Sequence, residues 1–463
     1  MTGLNERIPV PAADLEAGVA RRMIDPPIGI RARNWGPADW NASEGQHRHM
    51  TLTAVAFRSA GGLDGASDGD EPVVLITADA TWWRRVADEI GVRSAVLAAT
   101  GLPPERLIIS LSHTHAGPVL CAADTHLEGG ELIPGYLEHF AAQASDAARE
   151  ALDALAPARL EWAVGRCSLA GNRELTLDGR ALVAFAPEET ADDTVLVGRL
   201  TRDGAALATI VNYACHPTTL SWQNRLISPD YVGAMRDLVE DATGAPVAFL
   251  QGASGELAPR EQYTGDLAVA DRHGSSLGHA VLAALASLPV PGTALQLTGV
   301  VESGAPLGMW QATPVAADTA VAVVNAAVEL DLVDLPSLDE LAEQWADIDA
   351  RSREERLLRA RNLREGYIDG PTVQHPVWVW RLGGAVLVAH PGEAYSHLQT
   401  ALRARFADHA VVVANLSNGP GFVYLPSDDA YERGAYQAWQ TPLAAGSLAR
   451  LEGHAADLIA SVV

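Results

Sequence analysis

The sequence predicts an α/β protein with a mixed β-sheet core flanked by helices. Three observations predict it. Six short apolar runs are rich in Val and Ile, as strands covered on both faces tend to be. Helical patterns lie between many of them. Strand, loop and helix then recur in that order along the chain.

The elements follow in sequence. Residues 61–70 (GGLDGASDGD) read as a Gly/Asp-rich loop between strands, and residues 72–78 (PVVLITA) as the first buried strand. A helical pattern over 82–100 leads to a strand at 107–111 (LIISL), and a second helix is expected over 135–155. Strands at 208–213 (ATIVNY) and 247–250 bracket a helix over 231–242. Strands at 385–389 and 410–414 (AVVVA) bracket another over 394–407. The segment 337–365 differs. Ser337 reads as a helix N-cap followed by Asp339 and Glu340, a favourable charge order for a first turn. The rest is highly charged and reads as an exposed, inserted helix around 335–366 whose charges form a solvated face.

Composition excludes several partners. The 463 residues carry 58 acidic and 33 basic side chains, a net charge of −25. Such a surface repels phosphate backbones and anionic lipid, which argues against nucleic acid and stable membrane association. The three cysteines, Cys121, Cys167 and Cys215, show no CxxC spacing and fit free thiols in a reducing compartment. No signal-peptide pattern opens the chain and no run reaches membrane-span length, so a cytoplasmic protein is expected.

Chemistry-bearing residues gather where strands run out, which is where α/β proteins place their sites. The run 107–111 continues into Ser112-His113-Thr114-His115-Ala116-Gly117-Pro118. Residues i and i+2 of a strand share a face, so His113 and His115 are expected to project together. The strand at 208–213 delivers Cys215-His216-Pro217-Thr218, again a histidine at a proline turn. A single histidine of this kind is more often structural. Two such strand ends favour a metal, because ligands must converge from rigid elements. The strand at 385–389 ends in His390-Pro391-Gly392-Glu393, where Glu393 reads either as a first-turn helix carboxylate or as a ligand. The strand at 410–414 leads to Asn415, Asn418 and, further on, Tyr424. The run Gly252-Ala253-Ser254-Gly255-Glu256 lacks the last glycine of a nucleophile elbow, so a serine hydrolase is a minor alternative. No phosphate-binding glycine motif is present.

Taken in order, His-Thr-His-Ala-Gly-Pro, Cys-His-Pro-Thr, Gly-Glu-Leu-Ala-Pro and Pro-Gly-Glu, with a Tyr-rich final segment, resemble the catalytic region of the neutral/alkaline ceramidase family. Asn172-Arg173 and Ser228-Pro229-Asp230-Tyr231-Val232-Gly233 resemble two further motifs of that family. The resemblance implies a ceramidase-like catalytic domain over residues 1–463, without a C-terminal β-sandwich. It implies one Zn2+ held by His113, His216, Glu393 and Tyr424. His115, Arg173 and Tyr436 fall where the family binds or polarises the substrate carbonyl. The implied activity is hydrolysis of an N-acyl amide of a soluble small molecule by metal-activated water. An esterase or lactonase on the same site, or a catalytically silent binding protein, are the alternatives. One departure stands out: the family's metal-proximal serine is replaced here by Ala258. Trp82, Trp83, Trp222 and Trp310 are candidates for apolar substrate contacts or for core packing.

Overall fold

The computed structural model describes residues 6–60, 71–368, 370–419 and 423–463. The loop expected at 61–70 lies outside the described residues. Twelve strands build two stacked sheets. The larger contains β1 (Ala12–Met23), β2 (Thr51–Ser59), β3 (Val73–Ala78), β4 (Leu107–Leu111), β5 (Ala156–Arg166), β6 (Thr194–Arg202), β7 (Ala205–Tyr213) and β8 (Val247–Gln251). Their spatial order is β8-β7-β6-β5-β1-β2-β3-β4. The smaller sheet runs β9 (Val321–Asp331), β10 (Thr372–Leu382), β11 (Ala385–Ala389) and β12 (Ala410–Ala414) in sequence order.

Only three neighbouring pairs within these two sheets are parallel: β3 with β4, β7 with β8, and β11 with β12. Each is bridged by a helix: α1 (Val86–Thr100), α3 (Tyr231–Thr243) and α7 (His397–Arg405) respectively. A parallel pair requires such a crossover. These are the strands whose apolar runs are unbroken, and their burial explains why. Val73 and Leu75 point into the core between the sheets, while Val74 and Ile76 point outward under helix α2 (Ile133–Asp153). The two-residue period thus fills both faces with hydrocarbon. Between the sheets, Phe57, Leu160 and Leu250 pack with Trp378, Trp380 and Leu387. Outside, Met235 and Leu277 from α3 and α4 (Leu267–Ser287) cover one end of the large sheet. Leu402 from α7 and Ile459 from the C-terminal helix (Ser447–Val462) cover the small sheet. The layers are helix, sheet, sheet, helix.

Three expectations are corrected here. The helix expected from 82 begins at Val86, because Trp82 and Trp83 are buried and Trp83 is bridged to Leu120. Glu393 is not in a helical first turn. The pair Glu393–Ala394 forms a short strand parallel to Tyr424–Leu425, its amide donating to Val423 at 2.8 Å, and α7 starts only at His397. The charged segment is two helices, α5 (Leu338–Gln344), closed by a Ser337/Glu340 capping box, and α6 (Ala350–Arg364). Much of α6 is half-buried, so its charges are not simply solvated.

The inter-sheet core predicts a measurable contrast. Trp380 is fully buried and its indole donates to the Glu105 carbonyl at 2.9 Å. Trp380→Ala should lower the unfolding free energy by about 3–5 kcal/mol in urea denaturation. Trp310 lies 42% exposed on the hairpin strand Pro306–Pro314. Its alanine variant should change stability by less than about 0.5 kcal/mol.

Candidate metal and active site

Each of the three parallel units delivers a polar side chain where its strand ends. His113 follows β4, His216 follows β7 and Glu393 follows β11. The ends of the two sheets meet there, joined by Leu111 N donating to Leu416 O at 3.1 Å and Asn415 N to Gln251 O at 2.9 Å.

His113 does not sit on a strand face. Its φ is +67°, a left-handed backbone that costs a non-glycine residue roughly 1–2 kcal/mol. Donation from Ser112 N to Ala78 O and from Thr114 N to Ala80 O pins the turn around it. The turn, not strand alternation, brings the two histidines of the pair together, with Nε2 to Nε2 at 3.3 Å. His113 Nδ1 lies 3.4 Å from the Thr81 carbonyl. His216 Nδ1 faces two carbonyls, Ser254 at 2.7 Å and Leu257 at 3.1 Å, so this nitrogen must carry the proton. Its Nε2 lone pair then points inward, 2.9 Å from Glu393 Oε2. His113 Nε2 lies 3.3 Å from the same oxygen.

That cluster is a test of whether a cation fits. Two imidazole lone pairs and a carboxylate oxygen, all buried, face one another across about 3 Å. Such a set repels itself unless a proton or cation lies between its members. The His113, His115 and His216 ligand atoms lie within 4.8 Å of one another, a group able to hold a metal ion. Backbone carbonyls on the far nitrogen are the usual device for orienting a ligating histidine. The donors fit a divalent transition metal.

Tyr424 stands beside Glu393 as its Cα partner in the two-strand pair, which puts both side chains on one face. Its hydroxyl accepts from Arg173 Nη2 at 3.2 Å. Arg173 is buried and anchored by donation to the Gly255 carbonyl from Nε at 3.2 Å and Nη2 at 2.7 Å. The same Nη2 is 3.1 Å from His216 Nε2. His115 is wedged between Trp82 and Trp35, with ring centroids at 4.9 and 5.1 Å, and its Nδ1 has no hydrogen-bond partner among the described residues. The Tyr436 ring lies 6.1 Å from that of Tyr424.

Burial, aided by the neighbouring Arg173 charge, pushes His216 down to about 3. Burial and the adjacent His113 and His216 hold His115 well below its usual range. Both rings are therefore neutral near pH 7, the form that binds a metal or accepts a proton. Burial alone would raise the Glu393 carboxyl, but His113 and His216 overcome it and keep it ionised. Burial, reinforced by Glu393, pushes the Tyr424 phenol well above its usual value.

All seven residues expected at the site converge here. Ala258 is buried on the short strand Leu257–Pro259, paired with Gly171 of the strand Ala170–Asn172 that leads into Arg173. Ser254 does not replace the missing hydroxyl: its Oγ accepts from Gln251 Nε2 at 2.6 Å. Among the described residues no histidine hydrogen-bonds its hydroxyl, which argues against the serine-hydrolase alternative. His390 turns away, its Nδ1 lying 3.2 Å from His375 Nε2.

A cleft of about 430 Å³ opens onto this cluster, bounded by Trp35, Trp222, Tyr263, Tyr436, Trp439 and Arg359. Of the four tryptophans singled out, Trp222 lines it, Trp82 and Trp83 are core, and Trp310 is remote on its hairpin. Sequence reasoning missed Trp35, Tyr263, Arg359 and Trp439. Trp35 precedes a Gly36-Pro37 turn, a weak signal, and the others lie in segments with no motif.

The chain matches no family model and no curated protein. Among solved structures it resembles neutral ceramidase from Pseudomonas aeruginosa, with a TM-score of 0.69 at 15% identity over 97% of this chain and 75% of that one. It also resembles a ceramidase complexed with C2, with a TM-score of 0.64 at 15% identity over 97% and 76% of the two chains. The protein therefore has the neutral ceramidase fold. No helix among the described residues is long and apolar enough to cross a membrane.

Proposed function

We propose that this protein is a zinc-dependent amidohydrolase that cleaves an N-acyl amide bond of a small molecule. The observation that carries the reading is the convergence of His113, His216 and Glu393, lone pairs inward, against His115, Arg173 and Tyr424, which line an aromatic cleft. The ceramidase fold supports it. His113, His216, Glu393 and Tyr424 are the residues that would hold the ion. Zinc in such a site supplies Lewis acidity, which lowers the pKa of water and polarises a carbonyl.

The remaining steps belong to the chain. Arg173, fixed by two hydrogen bonds to Gly255, and Tyr436 donate to the carbonyl oxygen as it gains negative charge. His115, neutral and half-buried at the cleft wall, accepts the proton of the attacking water and returns it to the leaving amine nitrogen. The C–N bond breaks, giving a carboxylic acid and an amine. The walls Trp35, Trp222 and Tyr263 bind apolar substrate surface. The three buried free cysteines fit a reducing, cytoplasmic setting.

A panel of N-acyl amides, esters and lactones tests the reading. Amide hydrolysis that is lost to a chelator, restored by zinc and retained in Ser254→Ala is the expected result. Turnover of esters or lactones alone would move the activity to that class. Binding without any turnover would make the protein a silent member, as the Ala258 replacement allows.

A further inference from the structure

The cleft is more cationic than its surroundings. The chain as a whole carries a net charge of −25. Yet Arg173, Arg356 and Arg359 all line the cleft, and Glu355 is the only carboxylate among the residues that line it. Two of these arginines come from α6, the segment whose charges looked solvated in the sequence.

Arg359 is the deeper of the two. Its guanidinium lines the cleft together with Tyr436 and lies 5.7 Å from the centre of the Trp82 ring. The same indole packs on His115 at 4.9 Å. Arg359 Nε is buried with no hydrogen-bond partner. Its nearest carboxylate, Glu355 Oε1, stands at 3.8 Å, too far for a hydrogen bond. Glu355 also lines a neighbouring cavity with Arg33 and Arg84, so its charge is shared among several guanidinium groups. Arg356 sits further out. Its guanidinium lies 4.7 Å from the Trp439 ring and 5.7 Å from Trp345, and it has no carboxylate partner among the described residues. An aromatic-backed guanidinium whose only ion pair is a long one, with donors not used in hydrogen bonds among the described residues, is a site for a carboxylate, which it can grip with two parallel N–H donors.

We propose that the cleft selects amides whose leaving amine carries a carboxylate, the N-acyl α-amino acids, with Arg359 receiving the carboxylate and Arg356 drawing it in. This rests on the amidohydrolase reading and names its substrate class. His115 fixes the side of the bond: it returns the proton to the leaving amine, and Arg359 shares an indole with His115. The carboxylate is therefore on the amine fragment, a few bonds from the scissile nitrogen. The acyl chain lies along Trp35, Trp222 and Tyr263.

The test separates the two readings. The zinc-loaded protein is titrated calorimetrically with 4-oxopentadecanoic acid, the non-hydrolysable analogue of N-lauroylglycine, and with its neutral primary amide. Hydrolysis of N-lauroylglycine and N-lauroylglycinamide is measured in parallel. The acid should be bound, and N-lauroylglycine turned over, at least about tenfold better than the neutral partner, the worth of a charge-assisted pair. That ratio should collapse in Arg359→Met, fall in Arg356→Met and partly survive in Arg359→Lys. Equal handling of acid and amide, or a ratio untouched by the arginine variants, overturns the substrate class even if amides are cleaved. An arginine-dependent preference in binding with no hydrolysis of either compound keeps the carboxylate site and sinks the amidohydrolase reading instead.

Discussion

His216→Ala should lose both the metal and the activity, with kcat/KM falling by at least about a thousandfold. The expectation follows from how fully this imidazole is committed. Its Nδ1 is spent on two backbone carbonyls, so Nε2 has one orientation and one task. Arg173, its neighbour at 3.1 Å, is a cation and cannot ligate in its place. Removing the ring leaves Glu393 and Arg173 buried with one partner fewer each, so some loss of stability is expected too. Circular dichroism of the variant and metal analysis of the same sample separate the two effects. A folded variant that keeps its metal and its rate would contradict the assignment.

Arg173→Met should lower kcat by about 100- to 1000-fold while the protein keeps its metal. The guanidinium is a permanent positive charge beside the ligand cluster. The buried Gly255 carbonyl holds it with two donors, leaving the rest of the fork toward Tyr424 and His216. Lysine offers a single point charge and cannot bond Gly255 twice, so Arg173→Lys should recover little. Steady-state kinetics decide the role. A rise in KM with kcat intact would make Arg173 a ground-state binding group rather than a stabiliser of developing charge.

The sequence showed the site more clearly than the fold. The three strand–helix–strand units were legible because their parallel strands are buried on both faces and read as unbroken apolar runs. Each of them ends in a polar residue of the cluster. The antiparallel strands between them were not legible. In β5 and β6, Glu161 is buried in ion pairs with Arg159 at 3.0 Å and Arg199 at 2.6 Å. Charges inside a strand break the apolar pattern, and partners distant in sequence leave no periodic trace. Stacking of two sheets was likewise invisible, because hydrocarbon under a helix and hydrocarbon under a second sheet look alike in a linear pattern.

Residue roles depended on geometry the chain alone does not carry. His113 and His115 looked like neighbours on one strand face. A left-handed turn at His113 instead places one ring against Glu393 and the other between two indoles. Glu393 had a strong competing explanation as a helix-capping carboxylate. Only its pairing with the Tyr424 strand shows that its backbone is satisfied elsewhere. Arg359 was hidden in a charge-rich helix, where nothing in the sequence says which face turns toward the cleft.

X-ray absorption at the zinc edge, on stoichiometrically analysed protein, tests whether His113, His216, Glu393 and Tyr424 hold a metal. About one equivalent of zinc is expected, with nitrogen and oxygen scatterers near 2.0–2.2 Å, an imidazole signature and no sulfur. Less than about half an equivalent after zinc addition, or a sulfur shell near 2.3 Å, would contradict it.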